Sequence, residues 1–327
     1  MTEFKLTRRQ LIAAGVATFA MPSTAWAAYP EKPVRWIVGY PPGGATDTIA
    51  RLLGQSMSGV IGQPIVIDNR PGAGSSLGAT VLATSAPDGY TIGSADNGTL
   101  IINPVVYAKI QYDPERDFRP VGMYAGINLL LCVRQDSPVR TVAEYLDRAR
   151  SAAEPVFYAS PGIGTPLHLA MERLARDANV RLNHVAYKGM APALNDLLAG
   201  AVDSIVIDYT TASGVIKTGG IRALAVFSES RLAVLPDVPT IAEQGLTGFS
   251  AGAWHALIVP KATSDSVVEK LSGALGNALT DPLVKTRYAD LGLDMPPSDP
   301  ASLVRRWESD KTIWQPLIRS LNIKLDG

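Results

Sequence analysis

The sequence predicts an α/β protein built as two similar lobes. Three observations carry that reading. Short apolar segments alternate with amphipathic ones, the pattern of parallel sheets covered on both faces by helices. A glycine-rich strand-to-helix turn occurs once in each half, at Tyr40-Pro41-Pro42-Gly43-Gly44-Ala45 and at Ser160-Pro161-Gly162-Ile163-Gly164-Thr165. The chain has 327 residues, enough for two domains of ordinary size.

Residues 1–27 read as an export signal rather than as part of the fold. Lys5, Arg8 and Arg9 form a basic start, Leu11–Met21 is apolar, and Ala25-Trp26-Ala27 matches a cleavage pattern ending at Ala27. The apolar run is shorter than the about 20 residues of a membrane span. Arg8-Arg9, with Thr7 before it and Leu11 after it, points to the twin-arginine route. The alternative is a general secretory signal with two adjacent arginines. No cysteine lies near the cleavage point, so no lipid anchor is expected there.

The strands are expected, in order, at Val34–Val38, Ile65–Asn69, Thr91–Ala95, Leu129–Val133, Val156–Ala159, Arg181–Val185, Ser204–Asp208, Ala223–Phe227 and Ala256–Val259. Helices are expected at Asp47–Ile61, Leu77–Ser85, Val142–Ala152, Pro166–Ala175, Ala191–Ala199, Ser264–Thr280 and about Ala301–Leu321. Ser264 or Asp265 can cap the helix through Val267 and Leu271, and Asp299-Pro300 sets the start of the final one. The chain crosses between lobes near Val121–Asn128 and near Thr247–Trp254. One lobe is therefore expected to hold 28–125 with 252–327, and the other 126–251.

The formal charge is zero over the whole chain, and residues 1–27 carry +2 of it, leaving −2 for the remainder. Such a balance has no electrostatic footprint for nucleic acid or an anionic membrane. The single cysteine, Cys132, lies in the apolar run Leu129–Val133 and reads as a buried thiol. No metal-ligand spacing, H-E-x-x-H, G-x-S-x-G, G-x-G-x-x-G or Walker sequence is present. Neither a cofactor nor a metal is expected, and no enzyme activity. Ser160 is a conceivable nucleophile, but the sequence places no base beside it.

The two turns have a shared chemistry. The first N–H groups of a helix lack intrahelical partners, and glycine lets an anion approach them. Two such turns facing each other would clamp a small carboxylate. Gly43, Gly44 and Ala45 offer backbone donors in the first half. Asp47 stands where a carboxylate ties a turn together, with ligand contact as its lesser reading.

In order along the chain, several stretches resemble one family. They are Tyr29-Pro30-Glu31-Lys32-Pro33-Val34-Arg35, Pro41-Pro42-Gly43-Gly44 with Asp47, and Asn69-Arg70-Pro71-Gly72-Ala73-Gly74. Ala86-Pro87-Asp88-Gly89-Tyr90-Thr91, Tyr112-Asp113-Pro114 and Tyr158-Ala159-Ser160 with Gly164-Thr165 and His168-Leu169 follow. Val185-Ala186-Tyr187-Lys188-Gly189, Leu235-Pro236-Asp237-Val238-Pro239-Thr240 and Ile323-Lys324-Leu325 complete the set. Together they resemble the substrate-binding proteins of tripartite tricarboxylate transporters, the Bug family. The resemblance implies a two-lobed type II periplasmic binding protein fold with a hinge and an inter-lobe ligand cleft. It implies a periplasmic, monomeric receptor that binds a small carboxylate (aliphatic, amino acid or aromatic), often through ordered waters. Closure then presents the solute to membrane permease subunits. A receptor that serves a sensor kinase is the alternative.

The resemblance also places ligand residues. Tyr40 can wall the pocket, and Asn97 and Thr99 can donate to a carboxylate or a bridging water. In the second half Gly162, Gly164 and Thr165 match the turn, with His168 neutral in the first turn of the helix. Tyr187 follows a strand at the same edge, and Asp208 ends another. The run Tyr209-Thr210-Thr211 departs from the family, which has a less aromatic, asparagine-like run there. Gly126-Ile127-Asn128 is also atypical.

Overall fold

The structure is a computed structural model that describes residues 29–151 and 154–325. The expected export signal, its arginine pair and its cleavage point lie outside the described residues. Among the described residues no helix is long and apolar enough to cross a membrane.

Among the described residues ten strands form two five-stranded sheets. In chain order they are β1 (Val34–Val38), β2 (Ile65–Asn69), β3 (Thr91–Asp96), β4 (Phe118–Ile127), β5 (Leu129–Arg134), β6 (Phe157–Ser160), β7 (Asn183–Ala186), β8 (Ser204–Asp208), β9 (Ile221–Val226) and β10 (Ala253–Pro260). The first sheet has the order β2-β1-β3-β10-β4, and the second β7-β6-β8-β5-β9.

The expected all-parallel pairing holds for β1 with β2 and β3, and for β6 with β7 and β8. Elsewhere it is corrected. Strand β10 runs antiparallel to β3 and β4, and β5 runs antiparallel to β8 and β9. The reason is topological. β10 is the strand by which the chain re-enters the first sheet after building the second, so it arrives from the opposite end.

The first sheet is held by β-branched and aromatic side chains that the strands bury completely. Val34, Trp36 and Val38 have no exposed surface. Trp36 Nε1 and the Tyr124 hydroxyl both donate to Ser94 Oγ, at 2.9 and 2.8 Å, and the two rings meet edge to face at 5.7 Å. Each large apolar side chain buried in this way contributes about 1.5–3 kcal/mol. In the second sheet Leu129–Val133 forms the core, and Cys132 is buried with its thiol pKa pushed up by desolvation.

Strand β4 is absent from the sequence-based reading. Arg119-Pro120 disguises it, since proline lacks a ladder donor. Its position at the sheet edge and irregular register against β10 near Leu257/Ile258 accommodate that proline. The expected border after residue 125 therefore falls inside a strand, for Gly126 and Ile127 pair with Trp254 and Ala253. Asn128 alone separates β4 from β5, and residues 227–252 link β9 to β10. Arg173 ties helix Pro166–Asp177 to this second link: its Nη1 donates to Ser250 O at 2.6 Å, and its guanidinium lies over Phe249 and Trp314.

Candidate functional site

The first glycine turn leads from β1 into helix Ala45–Ile61. Gly43 takes φ +82°, a conformation costly for a residue with a Cβ. Gly44 is the N-cap and, having no side chain, caps nothing. The first helical bond runs from Thr48 N–H to Gly44 O at 2.9 Å. The N–H groups of Ala45, Thr46 and Asp47 therefore lack a helical acceptor. Gly43, Gly44 and Ala45 line a cavity of about 280 Å³ together with Thr210 and Thr211 of the second sheet's lobe.

The side chains around this turn are engaged in holding it. Asp47 is buried and accepts from Gly43 N–H at 2.9 Å, from Arg51 at 2.9 and 2.8 Å, and from Asn69 Nδ2 at 2.9 Å. Burial pushes its pKa up, but hydrogen bonds from Arg51, Gly43 and Asn69 outweigh that and hold it below the usual carboxylate range. The Tyr40 hydroxyl donates to Asp96 Oδ2, and burial followed by the Asp96 charge raises the phenol pKa strongly. Asp96 Oδ1 accepts from Thr99 N–H at 2.6 Å and from Thr99 Oγ1 at 2.7 Å, closing the π-helical turn Gly98–Ile102. Asn97 donates through Nδ2 to Gly252 O at 3.2 Å.

In the second lobe, Thr165 caps helix Pro166–Asp177, accepting from His168 N–H at 3.3 Å and donating to Gly162 O at 2.8 Å. His168 Nδ1 accepts Gly164 N–H at 3.1 Å. The His168 ring stacks on His184 at 4.0 Å, and His184 stacks on Tyr158 at 4.9 Å. Burial, then the neighbouring His184, push the His168 pKa down to about 3, so the ring is neutral. The Tyr187 hydroxyl donates to Asp196 Oδ2 at 2.7 Å. Asp208 caps helix Tyr209–Lys217 through Thr211 N–H at 2.9 Å and Thr211 Oγ1 at 2.8 Å.

The two glycine turns thus have different neighbours. The first shares its cavity with Thr210 and Thr211, whereas Gly164 packs against Val106 and Leu325 of the first lobe. Gly189, at φ +107°, is the uncapped N-cap of helix Met190–Ala199 and gives the second lobe its own open helix N-terminus. Three features escaped sequence reasoning. His255 on β10 sits with Nε2 3.2 Å from Thr46 Oγ1. Ser160 Oγ lies 2.6 Å from His184 Nε2, but Ser160 is fully buried and burial pushes the His184 pKa down to about 4. Asp96 organises the β3 edge. A titratable residue inside the otherwise apolar run Ala253–Pro260 was the available signal for His255.

Two α/β lobes with a returning strand in each sheet, and open helix N-termini at strand ends, define the class of two-lobed periplasmic binding proteins. A family model described as "Tripartite tricarboxylate transporter family receptor" matches residues 49–323, and the chain belongs to that family. It is 39% identical over 315 residues to the UPF0065 protein in the tcbD-tcbE intergenic region of Pseudomonas sp. (strain P51), covering 95% of this chain and 94% of the relative. Among solved structures it is similar to R. palustris Rpa4515 with adipate, at 31% identity and TM-score 0.81, covering 90% of this chain and 99% of that one. It is also similar to MatC from Rhodopseudomonas palustris with bound malate, at 33% identity and TM-score 0.78, covering 89% and 100%. The chain is a substrate-binding receptor of this transporter family.

Proposed function

We propose that this receptor captures a small carboxylate-bearing solute between its lobes in the periplasm and delivers it to the permease subunits of a tripartite transporter. The observation that carries the reading is the open N-terminus at Gly44. Its free N–H groups border a cavity reached from both lobes, and the helix dipole favours negative charge there. The adipate and malate held by the similar proteins support a carboxylate.

In this reading Gly43, Gly44 and Ala45 supply the first set of donors, Thr210 and Thr211 form the opposing wall, and Gly162 and Gly164 shape the second lobe's own turn. Tyr40, Asp47, Thr99, Thr165, His168, Tyr187 and Asp208 hold the loops through the bonds described above, and reach the solute through backbone groups or water. Asn97 keeps one acceptor free. The two lobes, with β4 kept in the first as far as Ile127, close about Asn128 and the 227–252 link after export and cleavage near Ala27. The protein acts as a monomer and without catalysis.

A thermal-shift screen against carboxylates, aromatic acids and amino acids tests this. A solute that binds only the folded state raises the midpoint by an amount that grows as RT ln(1 + [L]/Kd). A shift confined to one carboxylate class supports the reading. A protein freed of any co-purified solute that shifts with no carboxylate contradicts it.

A further inference from the structure

Nearly every polar side chain at the carboxyl edge of the first sheet is engaged, but two buried atoms are not. Among the described residues Asn97 Oδ1 and His255 Nδ1 have no hydrogen-bond partner. Asn97 exposes none of its surface and His255 exposes 6%. Burying an unpaired polar atom is costly, so each requires an explanation.

Both atoms belong to the framework of the open turn. Asn97 directly follows Asp96, the residue that binds Tyr40 at the entry to the turn. His255 pairs with Asp96 across the β3–β10 ladder, and its Nε2 lies 3.2 Å from Thr46 Oγ1 in the first turn of helix Ala45–Ile61. The ring is stacked on Tyr124 at 5.8 Å and 16°, which fixes its plane.

The chemistry of the two atoms is the same. Asn97 Nδ2 donates to Gly252 O, and the opposite amide flip would set two acceptors together, so the free atom is an acceptor. His255 faces the carboxylates of Asp96 and Asp208, which favour its protonation, but burial is the larger influence and keeps the ring neutral. We assign the hydrogen to Nε2, donating to Thr46 Oγ1. That leaves Nδ1 as an acceptor and avoids an unpaired buried N–H.

We propose that Asn97 Oδ1 and His255 Nδ1 read a hydroxyl group on the solute, so that the receptor prefers hydroxy acids over unsubstituted and amino acids. The inference rests on the carboxylate reading of the Gly44 turn. The carboxylate binds the helix N-terminus, and the hydroxyl beside it donates to one of the two acceptors as the lobes admit the solute. An ammonium group fits less well. It calls for a free carboxylate, and Asp47, Asp96 and Asp208 each have both oxygens engaged. Neutral acceptors suit a neutral donor.

The test is calorimetric binding of matched acids that differ only at the carbon next to one carboxylate. Malate, succinate and aspartate form one set; lactate, propionate and alanine another; 2-hydroxyadipate, adipate and 2-aminoadipate a third. In the set that binds, the hydroxy acid is expected to bind about tenfold or more tighter than its two analogues, because a site built for a hydroxyl rejects ligands that lack it. His255→Phe, which keeps a ring on Tyr124, is expected to lower the hydroxy-acid affinity to within about threefold of the unsubstituted acid. It should weaken the unsubstituted acid less than the hydroxy acid, since it also removes the bond to Thr46, and His255→Gln should restore part of the preference. Equal binding of hydroxy and unsubstituted acids overturns the inference and leaves the carboxylate reading standing. So does a preference that survives loss of both acceptors, in His255→Phe combined with Asn97→Ala. Binding of no acid in any set overturns both.

Discussion

His168 holds the second glycine turn through its ring: Nδ1 accepts the backbone N–H of Gly164 at 3.1 Å. That bond exists only while Nδ1 is unprotonated. The neighbours enforce this, for the ring is buried and stacked on His184, which is itself bonded to Ser160 Oγ. Gly164 has little freedom to move away, because it sits at φ +73° against Val106 and Leu325.

A pH dependence of stability follows from these two rings. Desolvation, then His184, push the His168 pKa down to about 3 from an ordinary 6.5, and desolvation pushes His184 down to about 4. Between the folded and unfolded values the unfolded chain binds more protons, so this stability is fully present above pH 6.5 and is lost as pH falls toward 4 and then 3. Melting midpoints measured across this range are expected to drop steadily below pH 6.5. His168→Phe should make that drop shallower, while loosening the turn enough to weaken solute binding at neutral pH. An unchanged pH profile in the variant would contradict the assignment.

Tyr40 is expected to act as a strut. Tyr40→Phe removes the donor to Asp96 Oδ2, and Asp96 is 4% exposed. Leaving that oxygen short of a partner should cost about 1–3 kcal/mol. Urea denaturation measures this directly. A variant as stable as the parent would show that water replaces the hydroxyl.

Thr165→Val keeps the β-branched shape and removes the cap. The loss of the bond from His168 N–H should cost about 1 kcal/mol. Binding should weaken less than in variants of the first turn, because the Thr165 hydroxyl is already spent on Gly162 O and His168 N–H. A loss of binding larger than that at Gly44 would make Thr165 a direct ligand.

Adjacent glycines in the first turn should respond differently. Gly43→Ala forces a Cβ into φ +82° and should cost about 1–2 kcal/mol of stability. Gly44→Ala should cost little, since φ is −75°, ψ is 171° and the new Cβ meets only Pro41 O at 3.6 Å. Thermal melts of the two variants check the contrast.

Local chemistry carried most of what was legible in the sequence. The β-branched and apolar runs at Val34–Val38, Ile65–Asn69 and Ser204–Asp208 are strands with the bounds their patterns suggest. The glycine turns stand at strand ends, and Asp47 ties its turn together. What was hidden depends on distant partners. Strand β4 carries Arg119-Pro120, tolerable only because it lies at an edge. The antiparallel return of β10 is a property of chain routing. No helix is expected directly after Asp208, yet the Asp208 carboxylate starts one there. His255 belongs to the site through Thr46, more than two hundred positions away, which no local pattern records.

The most direct measurement of the central claim is solute affinity in Gly44→Leu beside the parent protein. The backbone at Gly44 is extended and its surroundings are open, so the variant should melt near the parent. Its side chain would screen the free N–H groups of helix Ala45–Ile61. Carboxylate affinity is expected to fall about a hundredfold or more, since the lost contacts are charge-assisted. A folded Gly44→Leu protein that binds its carboxylate as tightly as the parent would show that the anion is held elsewhere.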